Sequence, residues 1–554
     1  MPYIPPNSTI RLLQDVPIDD TYEHTLWFET RTAQTNYFIS KTVRSFSENY
    51  YVRKDRGMIK LQAQADQLYN CNYLMYQNAS YNNKWFYAFC TVEYINDNTC
   101  AVYFKLDELQ TWFFEMRLGQ CFVEREHTYT DVIGDNLVPE NLETGEYIYS
   151  DENMPYMGGM KIVIASTVQW DSGTSQFINA AGGAFQGMYC GLYFTTFDFD
   201  SNGITACNNW LINLTNATKS DSIVSIFMCP EFFFAGFSSS SFTPNIISYM
   251  AQQKPLTFDG YVPRNNKLWT SPYVSLMVKT PNNAGEYGFE YFSNPNAPQF
   301  RLTSILSTQP SILLEPINYK TNKSYTTTKI DDNYVESMTL TGWPQCAYNI
   351  DAYKAWLAQN GPSLAVNGAL AVASLGMSVA SGYSPAGQVI STVPTVNPST
   401  WQVTGYNQYV THQDASFTPN AGMLGSIGAI GNLLAQVYQH SLLPPHARGS
   451  CDANAMFVRG RFNFIFCTKQ IRPEFAEIID NYFTKFGYAC HKLKVPNIRA
   501  RTRWTYTKTV DSIVTGNLPS DAVNTIQSIF NKGITFWVNA NEVGNYTLDN
   551  FPLY

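Results

Sequence analysis

The sequence predicts a mainly β protein with a minority of helix (α+β), and three observations predict it. Aromatic residues make up 15% of the 554 positions, with 37 Tyr and 35 Phe, and such side chains suit the half-buried surface of a pleated strand. Glycine (33) and proline (28) recur with Asn between apolar segments, as turn residues do between short strands. The apolar runs themselves are short and rich in aromatic and β-branched residues, as in residues 85–92 (WFYAFCTV) and 101–106 (AVYFKL).

In chain order, Tyr81-Asn82-Asn83 is a turn signal ahead of the strand at 85–92. After the strand at 101–106, Asp107 opens a short helix, DELQTWFFEM, as an N-cap. Residues 161–167, 222–228, 273–279 and 311–314 read as further strands, 207–218 as a short helix, and 234–242 (FAGFSSSSF) as a loop. Near the end, Pro473 suits a first helical turn, and Phe475, Ile478, Ile479, Tyr482, Phe483 and Phe486 follow at helical spacing as a core stripe up to the stop at Gly487. A second helix over 521–531, capped by Ser520, carries Val523, Ile526, Ile529 and Phe530. Gly533 ends it, and a strand follows at 534–538. The chain reads as 1–150, a β-rich 151–354 that no clean linker separates from the first part, an anomalous 355–447 set off by its composition, and 448–554.

Charged residues are only 14% of the chain, well below the roughly 25% of ordinary soluble proteins. That scarcity suits a surface largely hidden in an assembly. The net charge of -8 argues against a stable nucleic-acid binder, which needs a basic footprint. The 11 cysteines include no CxxC pair and several lie in apolar runs, so free buried thiols made in a reducing cytoplasm are expected. The N-terminus has no apolar signal region. Nucleotide-binding glycine loops and H-E-x-x-H are missing, and His440 and His446 have no nearby Cys or carboxylate partners, so neither a cofactor nor a metal site is expected. Glu124, Glu126, Glu140 and Glu143 read as surface charge rather than a hydrolase pair, and adjacent Cys490-His491 would point apart on a strand. A basic run comprises Lys492, Lys494, Arg499, Arg501 and Arg503. On a strand its three arginines would share one face, either as a phosphate-facing ladder or as ion-paired or solvated surface.

The strongest anomaly lies between Lys354 and Arg448, where 93 residues carry one formal charge, Asp414; at 14% charged, about thirteen would be expected. Two apolar arms flank a polar tip rich in Pro, Thr, Gln, Asn and Tyr. The first arm presents Leu364, Val366, Leu370, Val372, Leu375, Met377 and Val379. The second presents Met423, Leu424, Ile427, Ile430, Leu433, Leu434 and Val437. These fourteen residues are the candidate membrane-contacting set. Neither arm is a full transmembrane helix: 17 residues span roughly 25 Å as a helix, short of a hydrocarbon core of about 30 Å. Several copies held together would enter lipid more readily than one. The alternative is a buried helical hairpin in a globular domain, although such hairpins normally carry charges on their solvent side.

The sequence resembles the tail knob, or distal tail tube, proteins of small short-tailed phages with protein-primed genomes. The resemblance is carried by residues 10–28 (IRLLQDVPIDDTYEHTLWF), 68–89 (LYNCNYLMYQNASYNNKWFYAF), 109–127 (LQTWFFEMRLGQCFVEREH) and 485–548, with KFGYACHKLKVPNIRARTR, NKGITFWV and GNYTL; weaker echoes lie at 210–228 and 273–318. It implies a non-enzymatic virion protein at the distal end of the tail. It further implies a homohexameric tube whose ring is a tail-tube or hub-like β-barrel domain built from 1–150 and 448–554. On this reading 151–354 is a β-rich middle region, and 355–447 is a hydrophobic loop that plugs the lumen and is released to penetrate the host cell membrane. The implied partners are other tail proteins of the lower collar or tail tube, the host membrane, and genomic DNA passing through without sequence-specific contacts. A receptor- or cell-wall-glycan-binding tail protein is the alternative reading, on the abundance of Tyr.

Overall fold

A computed structural model describes residues 8–49, 57–78, 82–150, 152–180, 192–234, 247–281, 283–307, 310–320, 337–341, 343 and 463–553, together with the backbone of strands within 184–189, 345–347 and 383–417. The chain is mostly β with few helices. It divides into two compact units. The first joins residues 1–148, 256–274 and 470–554, so both ends of the chain meet in it; the second comprises 149–255 and 275–469.

The first unit contains a six-stranded antiparallel sheet in the order Thr42–Asn49, Ser8–Gln14, Cys71–Asn78, Phe86–Asn96, Thr99–Leu106, Met58–Leu61. Strand alternation sends Leu13, Tyr73, Met75, Tyr87 and Phe89 to one buried face and Ile10, Leu12, Leu74, Tyr76 and Ala88 to the other. Helix α1 (Arg31–Ser40) and the one-turn α2 (Glu108–Thr111) follow strands, and Asp107 caps α2 by accepting from the Gln110 amide at 3.0 Å. The helix expected over DELQTWFFEM therefore lasts one turn, because Trp112 N–H still bonds to Glu108 O but the chain then turns into the short strand Met116–Leu118. The turn before Phe86 holds Asn82 and Asn83 in the left-handed region, a conformation Asn tolerates.

A five-stranded sheet in the same unit runs His24–Leu26, Ile534–Trp537, Trp504–Val510, Cys121–Glu126, Tyr488–Lys494. Trp504 and Trp537 face each other across two of these strands with ring centroids 4.9 Å apart, and both are fully buried. Each contributes a gross burial energy of roughly 4–6 kcal/mol, from 150–250 Å² at 25 cal/mol per Å².

In the second unit, α3 (Ser201–Asn216) packs Cys207, Trp210 and Leu214 against the sheet Tyr193–Asp198, Met160–Ser166, Ile223–Pro230, Gln345–Ala347. The helix begins six residues before the segment read from sequence because Asp200 caps it, accepting from Gly203 N at 2.7 Å. A second sheet runs Ile247–Ala251, Gln299–Ile305, Ser311–Ile317, Met338–Leu340.

Candidate functional site

Helices α4 (Pro473–Phe486) and α5 (Ser520–Lys532) stand close to where the periodicity puts them. Gly487 ends α4 at φ 66, and a Cβ there would collide with the Glu126 carbonyl, so both the turn and the close approach require glycine. Two details differ from expectation. Ser520 is the first helical residue rather than the cap: Pro519 holds that position, with no side-chain hydrogen bond. Ile478 is not core but 65% exposed, and the buried face of α4 carries Ala476, Ile479, Asp480, Phe483 and Thr484.

Asp480, with its side chain fully buried, anchors a polar clasp in the first unit. Its carboxylate accepts from Tyr261 Oη (2.7 Å), Arg264 N (2.7 Å), Asn265 N (3.0 Å) and Asn265 Nδ2 (2.8 Å). Asp131 accepts from Tyr488 Oη at 2.5 Å and from Asn266 N at 3.2 Å. Glu140 bridges two cations, Lys267 Nζ at 2.6 Å and Arg125, and also accepts from Ala489 N at 2.8 Å. Lys267 lies under the rings of Phe483 and Tyr488. Burial lowers its pKa, and the Glu140 charge and hydrogen bond oppose that. Burial likewise raises Asp131, against the hydrogen bond from Tyr488.

Beside the clasp, His127 Nδ1 accepts from Tyr506 N at 2.8 Å, and Nε2 lies 3.2 Å from Thr484 O, which fixes a neutral tautomer. Burial, with the nearby Arg501 charge, pushes its pKa down to about 3. The clasp thus ties segments 125–140, 256–267 and 470–508 together through fixed donor–acceptor pairs. Its polar groups hold shape, and each carboxylate points at a cation or amide of its own chain.

Several residues singled out in the sequence take different roles here. Glu126 and Glu140 are not surface charges but buried partners of Lys494 and of Lys267 with Arg125; Glu124 pairs with Lys508 at 2.9 Å. Arg499, Arg501 and Arg503 do not form a strand face. They follow the strand Tyr488–Lys494 in an irregular segment clamped by the chain's last residues. Arg501 is 3% exposed and donates to Asn550 O, Arg503 bonds to Asp549 O and Glu542, and Arg499 caps main-chain carbonyls and stacks on Trp27. Cys490 is buried, whereas His491 stacks on Phe122. The eight cysteines with described side chains are free and buried, as composition implied.

The candidate membrane-contacting residues of both arms, Leu364 to Val379 and Met423 to Val437, lie outside the described residues, as do His440 and His446. Between the arms the backbone of the polar tip forms a long antiparallel hairpin, Gly387–Val396 with Val403–Gln413, extended by Tyr383–Ser384 with Ser416–Phe417. Sequence reading missed Asp480, Asp131 and Asn265. One signal was available: Asp480 falls on the same helical face as Ala476 and Phe483, and a carboxylate on an apolar stripe implies a buried partner.

Comparison with known proteins gives a consistent picture. Residues 6–117 match a model of the caudoviral major tail protein N-terminus. The chain is 27% identical to the tail knob protein gp9 of Bacillus phage PZA and 25% identical to that of Bacillus phage phi29, each alignment covering 99% of this chain and all of the relative. The structure of the bacteriophage C1 tail knob protein, gp12, superposes with a TM-score of 0.63 at 14% identity, covering 99% of this chain and all of the other, which supports the shared fold. Residues 238–551, more than half of the chain, match the model of the C-terminal domain of the Bacillus phage phi29 tail knob protein gp9, and the chain belongs to that family of structural phage tail proteins.

Proposed function

We propose that this tail knob protein forms the distal tube of the tail as a homohexamer. In this reading the two ends of the chain supply the ring-forming domain, 151–354 the middle region, and 355–447 a plug that leaves the lumen to penetrate the host membrane and open a path for the genome. The observation that carries it is the 93-residue stretch with a single formal charge in a chain of this family. Apolar arms from several copies gathered in a narrow lumen shield one another from water, at roughly 25 cal/mol per Å² buried, and the same surface is equally at home in lipid. No helix among the described residues is long and apolar enough to cross a membrane. Other tail proteins bind the assembled ring, and DNA passes without base-specific contacts, in keeping with the acidic net charge.

The test uses the full chain, triggered by mild acid or heat against dye-filled vesicles. The wild type is expected to release dye and a Δ355–447 variant to assemble without releasing it. Intact vesicles with the wild type, or equal leakage from the deletion, would overturn the membrane role. A second reading, glycan recognition by the middle region, is favoured by the exposed aromatics Trp170 and Tyr249. It predicts binding to purified cell-wall polysaccharide that Trp170→Ala weakens.

A further inference from the structure

Residues 549–553 lie as a strap along the irregular segment 500–504 of the first unit, with Pro552 bridged to Arg501. Main-chain bonds hold it there. Thr502 N donates to Phe551 O at 2.9 Å, Leu553 N to Ala500 O at 3.1 Å, and Phe551 N to Thr502 Oγ1 at 3.1 Å. Asn550 adds a side-chain key. Its Oδ1 accepts from the amides of Arg503 (2.9 Å) and Trp504 (3.2 Å), and its Nδ2 donates to Trp504 O at 2.9 Å. The two large apolar side chains of the strap are exposed, Phe551 at 63% and Leu553 at 38%. Backbone bonds with few side-chain demands are how an extended peptide adds to another backbone.

Part of the segment's shape is independent of the strap. Thr505 Oγ1 accepts from Ala500 N at 2.8 Å and Arg501 N at 3.2 Å, and Arg503 O accepts from Val538 N at 2.9 Å. Closure leaves one group poorly served. The Arg501 side chain is buried, reaches Asn550 O only at 3.4 Å, and its Nε and Nη2 have no hydrogen-bond partner among the described residues. Buried charged donors without acceptors oppose the closed state, and water that enters on opening would satisfy them. A strap that keeps its large apolar side chains in solvent is fastened by bonds that water can replace, and such segments open locally before their unit unfolds.

We propose that residues 500–504 form a binding groove for an extended peptide, and that the chain's own residues 549–553 fill it as a detachable strap. The ligand class follows from the contacts already made in the groove: a main chain in extended form, an Asn at the place of Asn550, and wide tolerance at the outward positions of Phe551 and Leu553. Any other peptide must displace the strap, so the groove is self-occluded. This goes beyond the proposed ring and plug and does not rest on them.

Hydrogen exchange on the full chain is the first test. The amides of Thr502, Phe551 and Leu553 are expected to exchange about ten-fold or more faster than those of strand 505–509, without unfolding of the unit. The second is fluorescence anisotropy with a labelled synthetic peptide of residues 545–553. A chain ending at 548 is expected to take up the peptide, the full chain to take up about ten-fold less, and a peptide carrying Asn550→Ala to bind about ten-fold more weakly. Full-length Asn550→Ala, which keeps the strap but loosens it, is expected to admit the wild-type peptide, and it decides the matter should the shortened chain not fold. Strap amides as protected as the strand's would overturn the detachable strap. No uptake by either folded variant, or equal uptake by the full and shortened chains, would overturn the groove.

Discussion

Around α4, buried charges stand in dense array, each beside a fixed counterpart: Asp480 among amide and hydroxyl donors, Glu140 between Lys267 and Arg125, Glu126 on Lys494. Between Lys354 and Arg448 the chain takes the opposite course and carries one charge in 93 residues. Both solve the same problem, the cost of removing a charge from water. A region with one conformation keeps its charges and positions partners for them. A segment proposed to exchange one environment for another cannot carry partners along, so it dispenses with charge. The clasp is therefore expected to fail when a partner is removed, and the insert when a charge is added.

The largest expected effect is at Asp480. Its replacement by Ala strands the Tyr261 hydroxyl and the amides of Arg264 and Asn265 without their acceptor. Loss of a buried charged partner of this kind costs about 3–5 kcal/mol. Ile478→Ala, two residues away on the exposed face, is expected to change stability by less than about 0.5 kcal/mol. Urea unfolding followed by tryptophan fluorescence separates the two; similar midpoints for both variants would mean that the clasp does not hold the first unit together.

Next in size is a pH effect made of two opposing parts. His127 titrates near 3 in the fold, below an ordinary 6.5, so the unfolded chain takes up its proton first and stability is lost as pH falls from 6.5 towards 3. Asp107, raised to about 6 by burial from an ordinary 3.8, works the other way: the fold binds its proton first, and stability is gained as pH falls from about 6 to 3.8. Between pH 7 and 4.5 each contributes on the order of 2–3 kcal/mol. The two offset each other in the wild type. His127→Gln is expected to become relatively more stable on acidification and Asp107→Asn relatively less, read as urea midpoints at pH 7 and 4.5. Parallel shifts in both variants would contradict the assignment.

Much of this was legible in the sequence wherever one local pattern decides the outcome. Period-3.6 spacing locates α4 and α5, Asp107 announces its cap, and Gly487 its stop, because caps and stripes are properties of a few neighbouring residues. The clasp was not legible, since Asn265 meets Asp480 across 215 positions and Asp131 meets Asn266 across 135, contacts made only when three distant segments come together. The arginines at 499–503 misled for the same reason. Alternation suggested a strand, but the hydrogen bonds that set their conformation come from residues 549–553 at the end of the chain. The anomaly at 355–447 needed no partner to be seen, because a deficit of charge is visible residue by residue.

The smallest expected change in stability belongs to the insert. Leu370→Asp and Ile427→Asp each place a carboxylate on an apolar arm. If an arm were packed in a globular core, either change would cost several kcal/mol, as any unpaired buried charge does. The proposed plug instead predicts unfolding midpoints within about 0.5 kcal/mol of the wild type, because the arms contribute little to the folding of either unit. The same variants are expected to lose most of the vesicle leakage, since a carboxylate at the centre of a bilayer costs about 2.5–3.5 kcal/mol per copy and six copies multiply the barrier. Measuring both on one preparation makes the comparison sharp. Destabilisation with leakage intact would place the arms in a folded core, and leakage lost at constant stability would place them in service of the membrane.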